Sequence, residues 1–261
     1  MKNLIAFHGS DHKVGTTMIS QSVAELISKN RKDIKILWVV FATGDGKEYA
    51  NYVSQSLEGL RLQMYSQILN DTEVMHACKQ SENLYMLGGI KNFLDKRNYF
   101  PEMTKYFLNC IKDKFDLVIA DCGNDLDCGL TTGALESSGL LYLIVSQRES
   151  SLRQYELKLD FYRRLDMNVT GIIVNHFQED DPLTLDYIGK RFALSYELFF
   201  RVQDSKFNRQ AEMNERSILS YGDNSYYKDI AKIADSILKK CELGCLNKEE
   251  EKRKKRWISF I

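Results

Sequence analysis

Short apolar runs alternate with longer amphipathic stretches along this chain. Four runs are apolar at consecutive positions rather than at every second position, and they are Asn3–His8, Lys35–Phe41, Leu117–Ala120 and Leu140–Val145. Continuous apolar strands are typical of a parallel sheet that is buried on both faces. Similar runs at Gly171–Val174 and Leu84–Leu87 predict two further strands.

Helical periodicity occupies the intervals between these runs. The stretches with this pattern are Thr17–Lys29, Glu102–Lys114, Ser151–Leu165, Leu183–Phe192 and Tyr226–Cys241. Because strands that alternate with helices form βαβ units, the pattern predicts an α/β protein. We expect a Rossmann-like, mostly parallel central sheet with helices on both of its faces.

Length and charge narrow the classes of protein that fit. The chain has 261 residues and a formal net charge of zero, so no overall field draws it towards nucleic acid. No apolar run approaches the roughly 20 residues that a membrane helix needs, and Met1–Asn3 leads into a run too short for a signal peptide. The six cysteines match no metal or disulfide spacing. We therefore expect a cytoplasmic protein with reduced thiols.

The segment "GSDHKVGTTMIS", from Gly9 to Ser20, follows the first apolar run. A strand, a glycine-containing turn and a helix in this order are the setting of phosphate-binding loops. The usual loop reads G-x-x-x-x-G-K-[ST], and its lysine contacts the terminal phosphates. Thr16 stands at the lysine position here. The position of the segment therefore predicts a phosphate loop, but its chemistry departs from the usual one.

Four segments in order carry a resemblance to a known family. They are "VGTTMISQSVAELI", "FDLVIADCGNDL", "GLLYLIVSQRESSLRQYELKLDFYRRL" and "GIIVNHF". Together they resemble the MinD/ParA group of P-loop proteins over most of Met1–Leu238, and within it the TadZ/CpaE pilus-localisation branch, whose loops often lack the lysine. The resemblance implies a P-loop NTPase type of sheet at residues 1–240, ATP at the carboxyl ends of the strands, and often a homodimer closed around nucleotide.

The resemblance also implies roles for individual residues. Val14, Gly15 and Thr17 match the family loop, in which the threonine hydroxyl binds Mg²⁺. Asp121 matches the aspartate that holds Mg²⁺ through water, and Asn175 matches the asparagine that reads adenine. Asp121 and Asn175 can also be explained without a nucleotide, because a polar residue at a strand end often caps a helix or forms a turn. The candidate nucleotide-binding residues are Lys13, Val14, Gly15, Thr16, Thr17 and Asn175, and the candidate Mg²⁺ ligands are Thr17 and Asp121.

Departures from the family pattern outnumber the matches in the loop. Asp11 stands where the family carries a lysine that reaches the phosphate of the partner subunit, and His12 and Lys13 replace two glycines. A carboxylate that faces phosphate is repulsive, and side chains at positions of positive φ are costly. Lys13 is a candidate substitute for the missing cation.

A second departure from the family pattern concerns the residues that hydrolyse ATP. In active relatives the strand after the first helix ends in an aspartate that orients the attacking water. Phe41 and Thr43 occupy the matching positions, and Asp45 follows two residues later. We assign no catalytic residue and expect ATP hydrolysis to be slow or absent.

The last 21 residues, 241–261, form a charged tail with an apolar end. Five consecutive basic residues precede Trp257, and similar short amphipathic ends bind anionic lipid in MinD-type proteins. Three explanations stay open: a contact with the inner face of the cell membrane, docking on the body or a protein partner, and nucleic-acid binding. The candidate contact residues are Lys254, Lys255, Arg256, Trp257 and Phe260.

These observations favour a spatial-organisation or pilus and secretion assembly factor. It would act through protein partners of a localisation or secretion system and through ATP and Mg²⁺ binding. One alternative is an active ATPase that uses Lys13 and Asp45 in place of the missing groups. Another is a DNA-partition protein, against which the neutral net charge counts.

Overall fold

The computed structural model describes residues 1–51 and 53–247. Seven parallel strands form one sheet in the order β3-β2-β4-β1-β5-β6-β7. The strands are β1 (Leu4–Gly9), β2 (Ile36–Val40), β3 (Leu84–Leu87), β4 (Leu117–Asp121), β5 (Leu140–Ser146), β6 (Val169–Phe177) and β7 (Phe199–Gln203). The predicted α/β class with a parallel central sheet is therefore confirmed.

Nine α-helices connect these strands or follow them within the described residues. They are α1 (Thr16–Asn30), α2 (Arg61–Tyr65), α3 (Asp71–Cys78), α4 (Pro101–Ile111), α5 (Gly129–Ser137), α6 (Glu149–Arg164), α7 (Leu185–Phe192), α8 (Asn208–Met213) and α9 (Asn224–Lys240). None of the helices in this part of the chain is long and apolar enough to cross a membrane.

The sheet separates two apolar layers. Helices α4, α5 and α6 pack on one face, where Phe107 and Tyr155 are buried. Helices α1 and α9 pack on the other face, where Ile19 and Ile230 are fully buried. Because both faces are covered, the four central strands β2, β4, β1 and β5 are apolar at consecutive positions, which is the pattern that identified them.

Strand β7 lies at one edge of the sheet and was not predicted as a strand. Its sequence "FFRVQ" contains a charged and an amide side chain, and only Val202 is fully buried. Four of its five residues are only partly buried, so the strand lacks the continuous apolar run on which the prediction depended, whereas β3 at the other edge is buried throughout.

The segment after α9 packs against the body up to residue 247. The Arg31 guanidinium donates to the carbonyl oxygens of Leu243 at 2.8 Å and Cys245 at 2.7 Å. Leu246 is buried, and its N–H donates to Asp235 at 2.6 Å. The boundary between a domain at residues 1–240 and a tail at residues 241–261 stays a prediction. The contacts predicted for the tail lie outside the described residues, at Lys254, Lys255, Arg256, Trp257 and Phe260.

Asn83, directly before β3, connects the end of α1 to the sheet, and we predict that the stability of the fold depends on it. Its buried amide nitrogen donates to the carbonyls of Ser28, Arg31 and Ile34 at 2.9–3.3 Å, and its oxygen accepts from the Ser28 hydroxyl at 2.9 Å. Asn83→Ala should lower the unfolding free energy by about 2–4 kcal/mol, because buried carbonyls lose their donors. Urea denaturation measures this loss, and the exposed Asn98→Ala is the matched control, with an expected change within about 0.5 kcal/mol. Equal losses in the two variants would contradict the prediction.

Candidate functional site

The carboxyl ends of β4, β1, β5 and β6 meet at one edge of the sheet. In the register of the sheet, Phe7 of β1 lies beside Asp121 of β4, and Ser146 of β5 lies beside Asn175 of β6. Gly9 ends β1 at the same edge, as predicted for the segment that follows it. The sheet therefore brings the candidate phosphate loop, Asp121 and Asn175 to one side of the molecule, where α/β sheets bind their ligands.

The segment between β1 and α1 is held by three neighbouring strands or the turns that follow them. The Gly9 N–H donates to the Gly123 carbonyl at 2.7 Å, just beyond β4, and the Ser10 N–H donates to Ile144 of β5 at 2.8 Å. The Asn175 amide donates to the Val14 carbonyl at 2.8 Å. Asn175 is fully buried, and its own oxygen has no hydrogen-bond partner in the described part of the chain. Its position as an adenine reader stays a prediction.

Gly15 ends the loop in a conformation that excludes other residues. Its φ is 90°, and a Cβ atom at this position would lie 2.3 Å from Asn175 Nδ2. Only glycine allows both the left-handed backbone and this close approach. Lys13 also has a positive φ, of 57°, and its side chain is exposed to solvent. The loop therefore accepts the unfavourable backbone conformation of a lysine where the family carries glycine.

Thr16 and Thr17 form the first turn of α1. Thr16 is buried, and its hydroxyl would lie 2.6 Å from a Cβ atom at Gly9, so it occupies space at the base of the loop. A threonine hydroxyl supplies no positive charge, and Asp11 is only partly exposed nearby. The loop itself therefore lacks the buried cation that stabilises transferring phosphate.

Asp121 is a buried carboxylate at the end of a central strand. The Gly123 N–H donates to its Oδ1 at 3.0 Å, whereas Oδ2 has no hydrogen-bond partner among residues 1–51 and 53–247. Burial raises the pKa of Asp121 to about 6; the Thr17 side chain and the Gly123 N–H lower it in part, and the charge of Glu48 raises it further. An acceptor without a donor fits the water shell of a cation, so Asp121 and Thr17 fit Mg²⁺ that arrives with a nucleotide. No group of three or more histidine, cysteine or acidic residues in the described chain could hold a metal unaided.

The positions that match the family's water-orienting aspartate carry no carboxylate. Phe41 is fully buried in the core, and its carbonyl accepts from the Thr131 hydroxyl at 2.7 Å. The Asp45 side chain accepts from the Lys47 N–H at 3.1 Å and so closes its own turn. The charge of Glu48, three residues further, is the one that acts on Asp121.

Lys158 is a cation at this edge that the sequence did not reveal. Its Nζ, on α6, donates to the carbonyls of Gly9 at 3.1 Å and Asn124 at 2.7 Å. Burial lowers its pKa to about 8, while Asp11 and Asp125 favour its charged form. A separation of 149 residues from Gly9 hides this contact from any local motif. Lys158 therefore links the loop to the segment after β4 and partly offsets the charge of Asp11.

Solved structures share this fold at low sequence identity. A ParA family ATPase from Chlorobium tepidum matches with a TM-score of 0.78 and 20% identity over 90% of this chain and 99% of its own. MinD from Pyrococcus horikoshii, complexed with Mg-ADP, matches at 0.68 and 16% over 89% and 96%. MinD in a MinC:MinD complex from Aquifex aeolicus matches at 0.67 and 14% over 90% and 93%.

No protein-family model matches the chain, and no curated protein matches it. The likeness to solved structures therefore concerns architecture. It extends over 89–90% of this chain and 93–99% of the other chain in each pair. The chain has the fold of the MinD/ParA type of P-loop ATPases.

We predict that ionised Asp121 destabilises the protein. Its folded pKa of about 6 lies above the ordinary value of 3.8, so the folded state binds this proton more tightly and loses that advantage as pH rises towards and through 6. Asp121→Asn should therefore raise the unfolding free energy, and its gain over the parent should widen by about 1 kcal/mol from pH 5 to pH 7.5. Urea denaturation at the two pH values measures this difference.

The control for this prediction is Asp125→Asn. Burial acts to raise the pKa of Asp125, but the Lys96 ammonium and the Asp127 N–H hold it below its ordinary value. The ionised form therefore stabilises the fold, and its removal should destabilise the protein at pH 7.5. A gain for Asp121→Asn that does not change between the two pH values would show that ionisation is not its cause.

Proposed function

We propose that this protein is a spatial-organisation or pilus and secretion assembly factor of the MinD/ParA type, similar to the TadZ/CpaE branch. It binds ATP with Mg²⁺ at the edge that carries the phosphate loop, hydrolyses it slowly or not at all, and acts through protein partners. Lys13, Val14, Gly15, Thr16, Thr17 and Asn175 surround the nucleotide, and Thr17 and Asp121 hold the Mg²⁺.

One observation carries this proposal: Gly15 has a left-handed backbone directly before α1, and neither Asp11 nor Thr16 adds a positive charge beside it. Gly15 and the start of α1 supply N–H groups of the kind that bind phosphate, whereas Asp11 and Thr16 replace two lysines. Binding uses backbone donors, but phosphoryl transfer depends on cations that stabilise the transition state. Loss of the cations therefore affects hydrolysis more than binding.

Two of the similar structures support the cofactor and the partners. The MinD from Pyrococcus horikoshii is complexed with Mg-ADP, and the Aquifex aeolicus MinD is in a complex with MinC. We extend both properties to this chain as part of the proposal, together with a homodimer whose subunits face each other across the loops.

The proposal predicts that ATP binds but turns over slowly. Isothermal titration should detect Mg²⁺-dependent binding of ATP, and Thr17→Ala should weaken it by about tenfold, because a ligand of the metal is lost. Thr72→Ala, at the start of α3 and exposed, is the matched control and should bind as the parent does. Turnover should stay well below about 1 per second, the low end of the usual enzyme range.

A second candidate is an active ATPase with substitute groups, and the contacts of Lys158 favour it. Its ammonium lies beside the loop, where it adds a cation to that of Lys13. This candidate requires that the protein hydrolyse ATP at about 1 per second or faster and that Thr17→Ala abolish this activity. Loss of that activity in Lys158→Met, Lys13→Ala or Asp45→Asn would then identify the substitute residues and reject slow hydrolysis.

For the tail we propose a peripheral contact with an anionic membrane. Each basic residue near such a surface contributes about 1 kcal/mol, and Trp257 and Phe260 add an apolar contribution. The protein should sediment with anionic vesicles in a salt-sensitive manner and not with neutral ones. Deletion of residues 252–261 should abolish this binding without changing the unfolding free energy. Absence of vesicle binding at low salt would reject the membrane contact, and destabilisation on deletion would instead indicate docking on the body.

A further inference from the structure

A groove lies between α9 and the edge strand β7, and we call it the α9 groove. Its volume is about 410 Å³, and its lining includes Arg201 and Gln203 of β7 together with Lys228, Lys232 and Asp235 of α9. The candidate nucleotide-binding and Mg²⁺-binding residues, all of which the structure describes, lie outside this lining. The groove is therefore a surface to which the proposed function gives no role.

The described part of the chain ends beside this groove. The Leu246 N–H donates to Oδ1 of Asp235 at 2.6 Å, and Asn247 is the last described residue. The two preceding carbonyl contacts, from Leu243 and Cys245 to the Arg31 guanidinium, hold the segment after α9 against the body. Residues 248–261 therefore begin within two residues of the Asp235 end of the groove.

The charges of the lining favour an anion. Lys228 is exposed and has no ion-pair partner in the part of the chain that the structure describes. Asp229, which also lines the groove, accepts from the Lys232 ammonium at 2.8 Å and from the Gln203 N–H at 3.2 Å. The three cations and two carboxylates of the lining leave one positive charge, and Asp235 already accepts a backbone N–H. An acidic segment therefore fits this groove.

The chain itself supplies an acidic segment at the right distance. Three consecutive glutamates, residues 249–251, follow Asn247 after a single lysine. At about 3.3–3.6 Å per residue, the first and third glutamates lie at most about 7 and 14 Å beyond Asn247. At 1.5 Å per residue, Lys232 and Lys228 lie about 4.5 and 10.5 Å along α9 from Asp235. The spacing of the carboxylates thus matches the spacing of the two ammonium groups.

We propose that the acidic triplet of this chain, residues 249–251, docks in the α9 groove against Lys228 and Lys232. Exposed ion pairs are individually weak, but a tether of one or two residues gives the triplet an effective concentration in the millimolar range. A weak intrinsic affinity is therefore sufficient. Docking fixes where the basic residues that follow leave the body, and it depends neither on ATP binding nor on the proposed membrane contact.

Zero-length carbodiimide crosslinking tests the contact, because it joins a carboxylate to an ammonium only where the two groups touch. The full chain is treated without vesicles, and mass spectrometry identifies the linked peptides. We expect links from residues 249–251 to Lys228 and Lys232. Their yield should fall at least about threefold between about 0.05 and 0.5 M sodium chloride, because salt screens exposed charges. Lys239 and Lys240 are the control, since both are exposed at the end of α9 that is nearer to the triplet in sequence.

Backbone amide NMR provides a second measurement that needs no crosslinking. Loss of the three carboxylates should shift the amide signals of Lys228 and Lys232, because the docked charges leave the groove. Loss of three tail ammonium groups should leave these signals in place. The test variant and its matched control each carry three substitutions, Glu249→Gln/Glu250→Gln/Glu251→Gln and Lys252→Gln/Lys254→Gln/Lys255→Gln.

Three results would overturn the inference. Links to Lys239 and Lys240 as frequent as those to Lys228 and Lys232 would indicate a free tail. Unchanged amide signals in the test variant would show that the carboxylates do not occupy the groove. In a mixture of isotope-labelled and unlabelled chains, links that join two chains would assign the groove to a second copy. Intact links in a protein that does not bind anionic vesicles would reject the membrane contact alone and support the docking.

Discussion

Burial of the parallel sheet on both faces is the constraint on which the candidate nucleotide site of this protein depends. Helices cover the two faces, so polar side chains that act on a ligand are confined to the ends of strands. Because all the strands run in one direction, their carboxyl ends form one edge. That edge collects Gly9, Asp121 and Asn175 from distant parts of the sequence.

At this edge the backbone and the charges point to different chemistry. Gly15 has a left-handed backbone directly before α1, as the proposed phosphate loop requires. In the proposed loop Asp11 is negative and Thr16 is neutral, and the nearby ammonium of Lys158 comes from α6. Shape is set by strand order and hydrogen bonds, whereas charge is set by single side chains. Substitution can therefore change the chemistry of the site while the fold stays intact.

The sequence predicted the central strands and the position of the loop because both depend on local patterns. Continuous burial makes β2, β4, β1 and β5 visible as apolar runs, and Gly15 marks the start of α1. It did not predict β7, because this strand is mostly half-buried and carries polar side chains, unlike the apolar β3 at the other edge. The contacts of Lys158 and the α9 groove were also missed, since each depends on residues that only the folded chain brings together.

The hydrogen bonds that hold the loop have an entropic consequence. Gly9, Ser10 and Val14 are tied to three strands or the turns after them by contacts within the protein, without any ligand. A flexible loop would lose backbone freedom on binding, at about 1–2 kcal/mol per residue. Here folding has already ordered these residues, so a ligand meets a preorganised surface. The ordering of these three residues therefore does not reduce the affinity for a ligand, and discrimination among ligands depends on charge and shape.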